Sequence, residues 1–178
     1  MNFCSKCGSA DLQFRVPEGD NRSRYICTAC NSIFYSNPKV VCGCLPIWED
    51  QVLLCKRSIQ PRAGYWNVPG GYLENGETVE EGAVREVWEE ARTRVDILGL
   101  HSVYSIPHIA QVYLHFLARL REPKFEVGEE SLEVRLFRED DIPWEDIAFT
   151  SSTFSLQRYF SDLRNGRRQL HRGQLDWK

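Results

Sequence analysis

The chain has 178 residues, 42% of them hydrophobic, and a formal net charge of −3. That allows one good core with a small appendage and gives no general attraction to nucleic acid or an anionic membrane. No apolar run approaches the ~18 residues of a membrane span, and no charged start precedes an apolar core, so the expectation is a soluble cytoplasmic protein without signal peptide or membrane partner.

Residues 1–36 carry two knuckles, Cys4-x2-Cys7 and Cys27-x2-Cys30, nineteen residues apart. Four cysteines in this spacing predict a tetrahedral structural Zn²⁺ site, and zinc would supply much of the folding free energy of so short a segment. Two disulfides are the alternative, which lacks an export signal. Residues 15–22 read as an exposed hairpin and loop. Arg15, Arg22 and Arg24 beside Phe14 and Tyr25 could hold a nucleic-acid strand, but a basic tip is more often simply solvated, and no nucleic-acid partner is expected. Cys42, Cys44 and Cys55 lie in apolar runs and read as inert core thiols.

Asn37-Pro38 is a joint, opening a second domain over 37–166. Residues 39–48 and 51–57 alternate as a strand hairpin. Arg57 at its end and Arg62 in the following loop are candidates for phosphate contact. Thr78 stands three residues before Glu81, a capping box that marks a helix start. At 100° per residue, Ala83, Val84, Val87, Trp88 and Ala91 fall on one side, and Glu86, Glu89 and Glu90 gather opposite with Gly82 among them, leaving room for a ligand. Carboxylates in a last helical turn cost about 0.3–1 kcal/mol each. Three together favour a hard divalent cation, Mg²⁺ or Mn²⁺, shared with substrate phosphates.

Further strands are predicted over 96–103, 110–120 and 132–137, with Glu126, Glu129 and Glu130 in the loop before the last and Glu133 near its start. Residues 151–164 predict a helix with Leu156, Tyr159, Phe160 and Leu163 on one stripe, and 167–178 a loose tail. The pattern implies an α/β protein with a sheet between helices and leaves its topology open.

Gly71, five residues, Glu77, seven residues, then Arg85-Glu86-Val87-Trp88-Glu89-Glu90 resembles the Nudix box, G-x5-E-x7-R-E-U-x-E-E-x-G-U, with U a bulky apolar residue. The resemblance implies an α/β/α sandwich with a mixed sheet over about 38–165, and Mg²⁺-dependent hydrolysis of a diphosphate. It gives the metal to Glu86, Glu89, Glu90 and the backbone carbonyl at Gly70, and gives Arg85 and Glu77 the task of holding helix and loop in register. A further base or ligand would come from a later loop, with Glu129, Glu130 and Glu133 as candidates. Arg92 and Thr93 replace the last glycine and apolar residue of the box, which predicts an extra helical turn anchored at Val95.

Trp66, Tyr72, Tyr104 and Tyr113, with Tyr65, offer flat faces for a base or isoalloxazine ring. With the cysteine knuckles, the chain is similar to zinc-ribbon Nudix hydrolases of the plant-type FAD and ADP-ribose pyrophosphatase group, which implies FAD cleaved to FMN and AMP, or ADP-ribose to AMP and ribose 5-phosphate. NADH pyrophosphatases, some of which remove NAD caps from RNA, also join a ribbon to this domain. Their S-Q-P-W-P-F-P segment is absent: residues 105–110 read SIPHIA. A non-catalytic nucleotide-sensing regulator is the third reading, although such modules usually lose box acids. A homodimer stays open.

Overall fold

The computed structural model describes residues 1–175, and the chain divides into two units at Asn37–Pro38. The first unit is a three-stranded antiparallel sheet of β1 (Leu12–Arg15), β2 (Arg24–Cys27) and β3 (Ile33–Phe34). Two buried cysteines, Cys4 and Cys27, and Ile26 are its interior.

The second unit is built on β4 (Lys39–Trp48), β5 (Gln51–Arg57), β6 (Trp66–Asn67), β7 (Gly70–Tyr72), α1 (Val79–Ala91), β8 (Val95–Ile106), β9 (Gln111–Leu120), β10 (Ser131–Phe137), α2 (Thr150–Asn165) and β11 (His171–Gln174). The main strands run in the order β10-β5-β4-β9-β8-β11. The β4–β9 and β8–β11 pairs are parallel and the others antiparallel, so the sheet is mixed.

β4 and β5 pair only near their turn, at Ile47–Val52 and Trp48–Gln51. Beyond it they part, and the chain from 66 to 72 fills the gap: β6 pairs with β5, and β7 with β4. The splay therefore carries the Pro69-Gly70-Gly71 turn into the middle of the sheet. Period-two alternation then sends side chains to two cores. Leu45, Ile47, Val52 and Leu54 pack under Leu156, Tyr159 and Phe160 of α2, while Cys44, Leu53, Cys55 and Phe116 pack under Ala83, Val87 and Ala91 of α1. Burying Val87 alone contributes about 1.5–3 kcal/mol.

Three expectations need correction. The helix faces are not divided into apolar and acidic halves: Gly82, Glu86 and Glu90 are buried with Ala83, Val87 and Ala91, and Trp88 is 45% exposed. The cause is close approach, since a Cβ on Gly82 would lie 2.7 Å from Cys42 Sγ and from Glu77 Oε1. Gly82 thus serves helix-to-strand packing and leaves no space for a ligand. Trp88 stands outside, with Arg92 and Arg94 over its ring at 5.9 and 5.8 Å.

α1 does not gain an extra turn. It stops at Ala91, and Arg92 itself adopts the left-handed conformation (φ 49°) that glycine usually supplies, its N–H donating to the Trp88 carbonyl. Two further N–H groups close the helix end, Glu126 donating to Ala91 O and Gly128 to Glu90 O. Val95 is buried, as an anchor should be.

The segment 167–178 is not a loose tail throughout. His171–Gln174 forms β11 in parallel register with Ser102–Ser105 of β8, because β8 would otherwise present an unpaired edge. Residues 176–178 lie outside the described residues.

Arg92→Gly is expected to raise the unfolding free energy by about 0.5–1 kcal/mol through relief of the left-handed strain, measured by urea denaturation.

Candidate functional site

The site is assembled where α1 crosses the splayed sheet. Thr78 and Glu81 form the capping box, Glu81 N–H donating to Thr78 Oγ1 and Thr78 N–H to Glu81 Oε2. That start fixes the rotation of the helix. Glu77 then reaches Arg85, whose Nε and Nη2 donate to Glu77 Oε2 and Oε1 at 3.0 and 2.7 Å. The same guanidinium donates to Tyr72 O (3.1 Å), Glu86 Oε1 (2.7 Å) and Glu89 Oε2 (3.1 Å). Arg85 therefore joins the helix, the β7 turn and two acids of the cluster. The bidentate Arg85 pair is the largest cause of Glu77 titrating at about 2.

Glu86 and Glu90 are buried, and Glu89 is half exposed. A Cβ on Gly71 would meet the Glu86 carboxylate at 2.4–2.7 Å, so only glycine lets this acid lie on the turn. Gly70 N–H donates to Glu90 Oε1 at 3.3 Å. Burial, the largest cause, pushes Glu90 up to about 8; the Gly70 N–H opposes it, and the charges of Glu86 and Glu130 reinforce it. Glu86 is raised too, first by burial, against the pull of Arg85. Among the described residues Glu90 has no ion-pair partner; Arg57 acts on it only from a distance. Buried, mutually repelling carboxylates packed on a glycine turn form a donor set that suits a hard divalent cation.

Of the three candidate acids after the helix, Glu130 is the one whose charge adds to the rise of both Glu86 and Glu90. Its loop is fixed by Gly128, where a Cβ would fall 1.8 Å from Glu89 O. Glu129 is 91% exposed and reaches Arg92 at 3.5 Å. Glu133 is an exposed residue of β10, opposite Lys56 of β5.

Tyr72 and Tyr113 are brought together. Each is the register partner of Val41, one on either side of β4, and Gln111 links them, donating to Tyr72 Oη at 2.9 Å and accepting from Tyr113 Oη at 2.8 Å. Lys39 Nζ lies 5.0 Å from the Tyr72 ring centre. Burial, the largest cause, raises the Tyr113 phenol, Tyr72 adds to the rise, and the charge of Arg57 opposes it. Sequence reasoning missed Gln111 and Gly128, whose roles come from contacts between distant segments.

Trp66 and Tyr104 are placed otherwise. Trp66 is a core residue packed edge-on against Phe137, and Tyr104 is buried against Phe154. Neither presents an open face. Arg62 is exposed beside Tyr65, at 5.2 Å. Cys42 and Cys44 rise to about 11 and about 12, first through burial, and are core thiols rather than nucleophiles.

In the first unit, Cys4 Sγ lies 3.6 Å from Cys30 Sγ, and Cys7 Sγ 3.6 Å from Cys27 Sγ, with no disulfide. All four sulfurs fall within 4.8 Å of one another. Thiolates at ~2.3 Å around a tetrahedral zinc stand about 3.8 Å apart, which the cluster fits.

A helix bearing this acid cluster over a split mixed sheet defines a Nudix fold. The chain belongs to the Nudix family: residues 37–156 match the NUDIX domain and residues 2–36 the zinc ribbon described as Nudix N-terminal. It is a Nudix hydrolase. A NUDIX hydrolase from Nitrosomonas europaea superposes with a TM-score of 0.95 at 51% identity, covering 99% of this chain and 100% of that one. The ADP-ribose pyrophosphatase of Methanocaldococcus jannaschii is 30% identical over 61% of this chain and 67% of its own length. The NAD-capped RNA hydrolase NudC of Salmonella heidelberg is 27% identical over 79% of this chain. The chain spans about half of that relative, 53%.

Gly71→Ala is expected to displace the Glu86 carboxylate while leaving the fold intact, raising the Mg²⁺ concentration for half-maximal turnover about 10–100-fold, as read from metal titrations of activity alongside circular dichroism. Cys7→Ser is expected to abolish amide-exchange protection in β1 to β3 and leave that of β4 to β10 unchanged, measured by hydrogen exchange on the full chain.

Proposed function

We propose that the protein hydrolyses the diphosphate link of a nucleoside diphosphate joined to a second moiety, with ADP-ribose the foremost substrate, giving AMP and ribose 5-phosphate. The observation that carries this reading is the placement of Glu86 and Glu90 on the Gly70–Gly71 turn, with Glu89 joined to Glu86 through Arg85 and the exposed Tyr72 following the turn. Likeness to an ADP-ribose pyrophosphatase supports the substrate class. The NAD-type reading rests on the NudC relatives, and FAD joins the panel on the likeness of the ribbon and box to FAD pyrophosphatases.

Glu86, Glu89, Glu90 and the Gly70 carbonyl would hold Mg²⁺ or Mn²⁺, and the four ribbon cysteines a structural zinc. Divalent ions held there would supply charge to neutralise the diphosphate and would make a water more acidic. Glu130 is the carboxylate assigned to take the proton as the water oxygen forms its bond to phosphorus and the bridging P–O bond breaks. Arg85 and Glu77 fix the helix so that the acids keep their spacing. Arg57 offers positive charge to the phosphates, and Tyr72 and Tyr113 offer a face for the base, with Gln111 holding their hydroxyls.

Glu89→Gln and Glu90→Gln are each expected to lower kcat about 100-fold or more with the fold retained, and near-normal turnover in both would reject the assignment. Tyr72→Ala is expected to raise KM about 5–100-fold with little change in kcat. Product chromatography on ADP-ribose, FAD, NADH and NAD-capped RNA with Mg²⁺ ranks the substrates, and preferential release of NMN from NADH or the capped RNA would favour the NudC-type reading.

A further inference from the structure

On the α2 face of the sheet, three metal-ligating side chains from three elements meet away from the acid cluster: His101 of β8, Asp162 of α2 and His171 at the start of β11. All three are buried, and one ligand atom of each lies within 4.8 Å of the other two. Strand register brings the imidazoles together. His171 is the partner of Ser102 in the parallel β11–β8 pair, and its ring centre lies 5.3 Å from that of His101.

The hydrogen bonds around them are compatible with a ligand set. His101 Nε2 lies 3.0 Å from the Ser155 carbonyl oxygen. A nitrogen facing a carbonyl carries the ring proton, which leaves Nδ1 with a free lone pair. Metal-ligating imidazoles ordinarily give their other N–H to a carbonyl or carboxylate in this way. Asp162 is oriented by the Gln169 N–H, which donates to Oδ2 at 3.3 Å, and that same oxygen lies 2.9 Å from His171 Nε2. Ligands ~2.1 Å from a tetrahedral zinc stand about 3.4 Å apart, so the His171–Asp162 contact need open by only about half an ångström. A cleft of about 230 Å³ lined by His101, Asp162, Arg167 and Arg168 supplies the entry path.

We propose that His101, Asp162 and His171 form a second metal site that takes a zinc-class divalent ion through two imidazoles and one carboxylate. A hydrogen bond pinning β11 to α2 accounts for His171 and Asp162, and the Ser155 carbonyl satisfies only one nitrogen of His101, so the ion gives the other nitrogen a partner. The ion leaves a fourth position to water from the cleft and ties the last strand to the helix and the sheet. Asp162 and His171 lie beyond the residues matched to the NUDIX domain, and none of the three belongs to the diphosphate machinery.

The test is equilibrium dialysis of the full chain against Zn²⁺ with excess Mg²⁺, followed by elemental analysis. Two zinc ions per chain are expected for the native sequence, one at the four thiolates and one here, and one in His171→Asn and in Asp162→Asn. A native value of one, or a value of two in folded variants, would overturn the site. If both variants unfold, Cu²⁺ titrated into the native chain carrying one zinc, at the four thiolates, decides: electron spin resonance coupled to two imidazole nitrogens supports the site, and a spectrum lacking that coupling refutes it.

Discussion

Glu86 and Glu90 lie buried between a helix and a glycine turn, and most of the surrounding structure follows from keeping two carboxylates there. A buried charge without a partner is costly, and these two also repel each other and Glu130. Arg85 compensates in part. Its guanidinium engages Glu86 and Glu89 directly and is itself anchored by Glu77 and the Tyr72 carbonyl. What is left uncompensated at Glu90 is the electrostatic demand that a divalent ion would meet. Apolar packing of Ala83, Val87 and Ala91 beneath the helix holds the acids against this repulsion.

The geometry of the turn is a property of the sheet. Because β4 and β5 separate after two residue pairs, the chain can enter between them and present backbone to the helix rather than side chains. The same separation sets Tyr72 beside β4, with Tyr113 across it, so the aromatic pair and the acid cluster share one structural origin.

Much of this was legible in the chain. The capping box, the spacing from Gly71 to Glu90 and the paired knuckles are local patterns, and local patterns survive folding. β6 and β7 were not legible, because strands of two and three residues have no periodicity to read. Nor was the burial of Glu86 and Glu90: a helical wheel ranks faces by polarity and cannot register that glycines in the opposing turn remove the side-chain layer. Trp66 and Tyr104 looked like platforms because an aromatic residue near a site has the same composition signal whether it faces out or in. Arg92 departed from the family pattern without lengthening the helix, since the backbone there is set by the loop amides that close its end.

The origin of β11 bears on where the domain ends. The final strand described in the sheet comes from residues past α2 and runs alongside β8, whose own exposed residues include Leu98 and Leu100. A chain shortened to Gly166 would keep every acid of the box yet bare a row of unsatisfied amides and carbonyls next to apolar side chains, an invitation to intermolecular pairing and precipitation.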